Sequence, residues 1–273
     1  MTGFPELQAL YRALDRSAKA WWSSSLTLKF CGFAVGILAI LPVPQEPVPF
    51  LVAGFALLSE LCGYRADSVK SSAQALRRAL DVYDSFGWEP SAADLSDLFV
   101  RNPGSFKTPT SADMEAYFAS AEPPGTTRAL QNLSESAWWT KHLAESMALI
   151  CTVILVLAAL SAFSILIAVV QTTQSHGVQV NVARIVTAFL MFLLSLGIVK
   201  LILGYRGLAA RASKCEIASL RLQQLPSNEL DAFRALYDYH IGRAVGPLIP
   251  TWIWKWRKRE LRQAWAQFRM RKT

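Results

Sequence analysis

Paired arginines at Arg77-Arg78, a third at Arg128, and the aromatic side chains of Tyr83, Trp88, Tyr117, Trp138 and Trp139 are the residues of this chain with the clearest chemical use. A guanidinium fork binds an oxyanion through two parallel hydrogen bonds, and aromatic or guanidinium planes stack on flat rings. Together these types suit capture of an anionic ligand. Arg128 is the first candidate, because it follows the turn Glu122-Pro123-Pro124-Gly125 at the start of a helix, where free amides would add to its charge. Arg77 and Tyr117 come next, then Arg78 and Trp88. Each has a plainer use. Arg77 and Arg78 suit a solvated helix face, Tyr83 a helix core, and Trp138–Trp139 the headgroup belt of a membrane span.

No residue pattern points to catalysis. The chain has no GxSxG, no P-loop, no dinucleotide-binding glycine fingerprint and no metal-ligand spacing. His142, His176 and His240 are scattered, and Asp81, Asp84, Asp94 and Asp97 read as a solvated acidic face. A non-enzyme is expected, with no catalytic residue, metal or cofactor. Cys31, Cys62, Cys151 and Cys215 have no CxxC spacing and read as free thiols.

The elements that must position these residues are set by four apolar runs. Residues 147–170 carry no charge over 24 positions, and about 20 apolar residues suffice for a helix to cross lipid. Residues 185–205, 26–43 and 48–64 are further runs, with Lys200, Lys29 and Glu60 as their acidic or basic members. The expected fold class is an all-α membrane protein, with four spans in two hairpins and a helical cytoplasmic domain. The expected segments are an amphipathic helix (1–25), hairpin 1 (26–64), a helical sensor domain (65–145), hairpin 2 (146–205) and a basic, Trp-rich helical tail (206–273).

Charge orients the chain. Of its 28 basic residues, 25 lie in segments 1–25, 65–145 and from 205 onward, while the connectors 44–47 and 171–183 have none. By the positive-inside rule both termini and the middle segment face the cytoplasm. The net charge of +8 suits anionic headgroups. Trp252, Trp254, Trp256 and Trp265, interleaved with Lys255, Arg257, Lys258 and Arg259, suit an interfacial anchor better than a nucleic-acid surface, so no DNA or RNA partner is expected.

Within the spans, an antiparallel hairpin brings Lys29 and Glu60 to similar depth as an ion pair. Gly32 and Gly36 form a GxxxG close-packing face. Helices are expected over 5–22, 68–86 (ended by Gly87), from a Ser91/Asp94 capping box through Val100, over 111–120, from Thr126 into the third span, over 207–225, and over 228–245 behind a Ser227 cap. Residues 102–110 read as loop. The helix over 5–22 suits either a lipid surface or the cytoplasmic domain.

The segment YFASAEPPGTTRALQNLSESAWWTKHLA (117–144) ahead of a long span, and LYRALDRSAKAWW near the N-terminus, resemble the SMODS-associated four-transmembrane effectors of bacterial cyclic-oligonucleotide antiphage signalling (CBASS). The likeness covers most of residues 5–205, and the tail matches less clearly. It implies an effector activated by a cyclic di- or trinucleotide from a partner nucleotidyltransferase, which then permeabilises the inner membrane. One four-helix bundle leaves no wide pore, so conduction implies a cyclic homo-oligomer. Pore-facing candidates are Ser161, Ser164, Thr187, Ser195 and Lys200; for Lys200, snorkelling to the interface is the plainer role. A non-conducting membrane scaffold or partner-binding protein without a nucleotide ligand is the competing class.

Overall fold

The computed structural model describes residues 4–38, 46–101, 118, 120–173, 175–225 and 228–270, which form eight helices and no strand. These are α1 (Phe4–Leu38), α2 (Val48–Phe86), α3 (Ala92–Arg101), α4 (Thr126–Thr172), α5 (His176–Ser195), α6 (Ile198–Gln224), α7 (Glu229–Val245) and α8 (Thr251–Met270). Tyr117, the loop expected over 102–110 and most of the helix expected over 111–120 lie outside the described residues.

Most of the helices are longer than their apolar runs. The expected 5–22 helix and the first apolar run fuse into α1, because Ser23-Ser24-Ser25 contains no glycine or proline to interrupt the ladder. Arg65–Asp67 likewise fails to separate the apolar stretch 48–64 from the polar one after it, so α2 runs unbroken for 39 residues. Gly87 ends α2 with φ +74, its amide donating to the Tyr83 carbonyl at 2.8 Å. The break that sequence reasoning missed lies inside the expected 185–205 span. Gly197 adopts φ +66 and separates α5 from α6. The second loop is shorter than expected, since α5 already begins at His176. The cap of α7 is Asn228, whose side chain accepts from the Asp231 amide at 2.8 Å; Ser227 lies outside the described residues.

Among the described residues, three stretches are long and apolar enough to cross a membrane, the pattern of a membrane-embedded protein: α2, α4, and α5 together with α6. The first expected span, 26–43, runs past the described part of α1.

The chain divides into two compact units. One comprises Met1–Lys19, Asp67–Met147 and Gly204–Thr273; the other, Ala20–Ala66 and Ala148–Leu203. In the first, Leu7, Leu10, Leu14 and Ala18 of α1 are buried, so this amphipathic face packs on protein. Phe86, Leu130, Leu133, Ala137, Leu236 and Tyr239 form a core shared by α2, α4 and α7. In the second unit, Phe33 of α1 stacks on Phe192 of α5 with centroids 4.3 Å apart. Gly32 faces α2 so closely that a methyl there would lie 3.2 Å from Phe55 Cβ, with Gly36 opposite Val52. The GxxxG face is thus a packing surface.

Candidate functional site

The first unit concentrates the polar chemistry. On α2, Arg77, Asp81 and Asp84 recur at helical spacing, so they share one side of the helix. Asp81 is 1% exposed, and its Oδ2 lies 3.3 Å from His240 Nε2 of α7 and 3.7 Å from Arg77 Nε. The His240 ring and the Asp81 carboxylate thus face each other at close range in a buried site. Burial disfavours the Asp81 charge, but His240, Arg77 and Arg243 outweigh it and hold the carboxyl below the usual carboxylate range. Burial also pushes the His240 pKa down; Asp81 opposes this, while Arg77 and Arg243 reinforce it. Asp81 is therefore no part of a solvated acidic face, and nor is Asp84.

Asp84 is the anchor of a second cluster. It accepts from Arg128 Nε at 3.1 Å and Nη2 at 2.7 Å, and from Asn132 Nδ2 at 2.7 Å. Arg128 Nη1 also donates to the Glu122 carbonyl at 2.8 Å. The first-ranked ligand candidate is thus engaged in a bidentate clamp between α2 and α4. Arg77 is engaged as well, donating to the Tyr11 hydroxyl at 3.0 Å. Trp88 stacks on Phe86, with centroids 4.9 Å apart, beside Phe233. Arg78 differs from these. It is exposed, with its guanidinium 5.6 Å from the Tyr237 ring centre. The structure does not bring Arg77, Arg78, Arg128 and Trp88 together around one opening.

One face of α2 and one of α7 do frame an opening. Asp67, Lys70, Ser71, Gln74, Ala75 and Arg78 line a pocket of about 350 Å³ with His240 and Ala244. Lys70 donates to the Gly246 carbonyl at 2.6 Å, just past the end of α7. Its burial lowers its pKa, with Asp67 opposing and Arg243 adding to the effect. The sequence carried a faint sign of this site. Lys70, Gln74 and Arg78 recur every fourth residue on a helix whose other face is apolar, and His240 follows Leu236 by four on the buried side of α7.

In the second unit, Lys29 Nζ lies 3.2 Å from Glu60 Oε1. Ser161, Ser164, Thr187, Ser195 and Lys200 are all exposed on the single chain, and Ser195 Oγ donates to the Phe192 carbonyl at 2.8 Å. On α8, Ile253 and Leu261 are buried, whereas Trp252 and Trp256 are exposed and Lys258 Nζ sits 4.4 Å from the Trp254 ring centre. Compared with protein-family models, with curated proteins and with solved structures, the chain matches none.

Proposed function

We propose that this chain is a four-span inner-membrane effector with both termini cytoplasmic, activated by a cytoplasmic anionic ligand and permeabilising the bilayer as an oligomer. In line with the resemblance drawn from 117–144 and the N-terminal segment, the ligand is a cyclic di- or trinucleotide, and the chain belongs with the SMODS-associated four-transmembrane effectors. One observation carries the reading. α2 is a single helix that begins in an apolar stretch of spanning character and continues into the polar face bearing Lys70, Arg77 and Arg78. A ligand that prefers one placement of this face biases the helix whose other end lies in lipid, and differential affinity is what shifts such an equilibrium. The exposed Trp252 and Trp256 with the basic residues of α8 suit a headgroup contact.

The test is ion release from liposomes loaded with the purified protein, challenged with a panel of cyclic di- and trinucleotides. At least one should trigger release. Silence across the panel, with correctly inserted protein, would favour the non-conducting scaffold. In a cysteine-free background, Ser175→Cys should react with an impermeant maleimide from the periplasmic side and Glu122→Cys should not.

A further inference from the structure

We propose that the pocket between α2 and α7 binds a small phosphorylated molecule that also carries a hydroxyl or N–H donor. The lining residues of α2 stand at positions i, i+3, i+4, i+7, i+8 and i+11 from Asp67, which is one face of a helix. Lys70 and Arg78 are eight residues apart, or about 12 Å along the axis at 1.5 Å per residue, and so bracket the opening. An ammonium has three donors. Lys70 gives one to Gly246 and retains capacity for a ligand oxygen. Arg78, beside the Tyr237 ring, presents a planar fork of the kind that matches a phosphate.

Charge alone would admit any small anion, and the acceptors narrow the choice. Gln74 Oε1 is buried and has no hydrogen-bond partner among the described residues. Asp67 places a carboxylate on the same lining. A bare inorganic anion would satisfy Lys70 and Arg78, leave Gln74 unpaired and face the Asp67 charge. A phosphate ester with a hydroxyl or ring N–H satisfies both sets, and an unpaired buried acceptor gains most from such a donor. About 350 Å³ is at the small end of ligand pockets, which suits one mononucleotide-sized moiety.

The site differs from the arginine set read from the sequence, because two of its eight lining residues, His240 and Ala244, come from α7, in the C-terminal tail. It deepens the proposed function by giving the anionic ligand a place and rests on that reading for its consequence, but its own test is binding. The full chain in nanodiscs is titrated by calorimetry with AMP, adenosine and inorganic phosphate. AMP should bind more tightly than either of the others. Arg78→Ala removes an exposed side chain and should weaken AMP and phosphate at least tenfold. Gln74→Met keeps the side-chain length and should weaken AMP while leaving phosphate unchanged. Lys255→Ala on α8 is an equal loss of charge and should change neither. AMP binding no tighter than adenosine, or equal effects of Arg78→Ala and Lys255→Ala, would overturn the site. Liposome release that survives Arg78→Ala at full sensitivity would sink the site and leave the effector reading standing. AMP bound as described, with no cyclic nucleotide causing release, would do the reverse.

Discussion

The two units solve opposite solvent problems. In the unit containing α7 and α8, polar groups go inside. Asp81, Asn132, Thr140, Glu216 and His240 are all under 9% exposed, and each is placed against a partner of suitable chemistry. In the other unit, apolar groups stay outside. Leu149, Ile154, Leu157, Leu160 and Phe163 of α4 are each about half exposed or more. Only 6% of the most apolar window of α4 is buried. In water a surface like that would drive aggregation; in hydrocarbon it costs nothing. Burial therefore identifies the fold-holding residues in the first unit but not in the second, where specificity comes from close contacts such as Gly32 on Phe55 and Phe33 on Phe192.

The largest expected effect lies at the polar core of the first unit. Asp81→Ala removes the carboxylate that Arg77 and His240 face in a buried site, which should cost about 3–5 kcal/mol, read as a collapse of thermal stability. A loss within about 0.5 kcal/mol, typical of an uncomplicated surface change, would mean that the cluster is solvated after all. The next effect contrasts the units directly. Leu157→Arg and Leu230→Arg change residues exposed to 59% and 53%. The first should oppose membrane insertion by about 3 kcal/mol and reduce the inserted fraction. The second should alter stability by no more than about 0.5 kcal/mol. Equal tolerance at both positions would erase the distinction.

Acid should act through the first unit. His240 is held neutral by burial, with a pKa below the ordinary 6.5, so below that pH the unfolded chain binds a proton that the folded chain resists. Stability is therefore complete above about 6.5 and falls as the pH drops from there. Asp81, whose carboxyl is also depressed, adds a second loss only below its ordinary 3.8. Melting temperature measured from pH 7.5 to 5.5 should decline, and His240→Gln should flatten the decline. An unchanged slope in that variant would assign acid sensitivity elsewhere.

The smallest effects compare one kind of ion pair in two settings. Lys19 and Asp15 lie 2.6 Å apart within one helix of the first unit, and Asp15→Ala should cost about 0.3–0.5 kcal/mol. Lys29 and Glu60, 3.2 Å apart in the other unit, should be more sensitive to neutralisation, and the exchange Lys29→Glu with Glu60→Lys should recover part of the loss. Additive losses in the exchanged protein would show that the two side chains act independently.

The sequence made the long apolar run of α4 and the stop at Gly87 legible and hid the site, for physical reasons. Uninterrupted apolar runs in α4 and glycine at position 87 are local signals, read without knowing any neighbour. Helix lengths were underestimated because a change from apolar to polar composition was taken as a boundary, although only glycine, proline or a cap ends a helix. The Ser23–Ser25 and Arg65–Asp67 junctions contain none of these. Arg128 was legible as a charge but not as a clamp, since its partner Asp84 lies 44 positions away on another helix. Asp81 was taken for surface because its partner, His240, is 159 positions distant. The pocket needed α2 and α7 side by side, which no local pattern specifies.

The interruption at Gly197 has a mechanical meaning. A helix with an unbroken hydrogen-bond ladder is a stiff rod, and α2 and α4 are such rods over 39 and 47 residues. At positions 196–197 the ladder gives way to a turn, with Leu196 and Gly197 amides donating to Phe192 and Leu194. The chain's course from α5 into α6 is therefore set by the dihedral angles of one residue rather than by a continuous ladder. A β-carbon at 197 would disfavour the left-handed backbone on which that joint depends. The absence of a single methyl group thus decides where α5 stops and α6 begins.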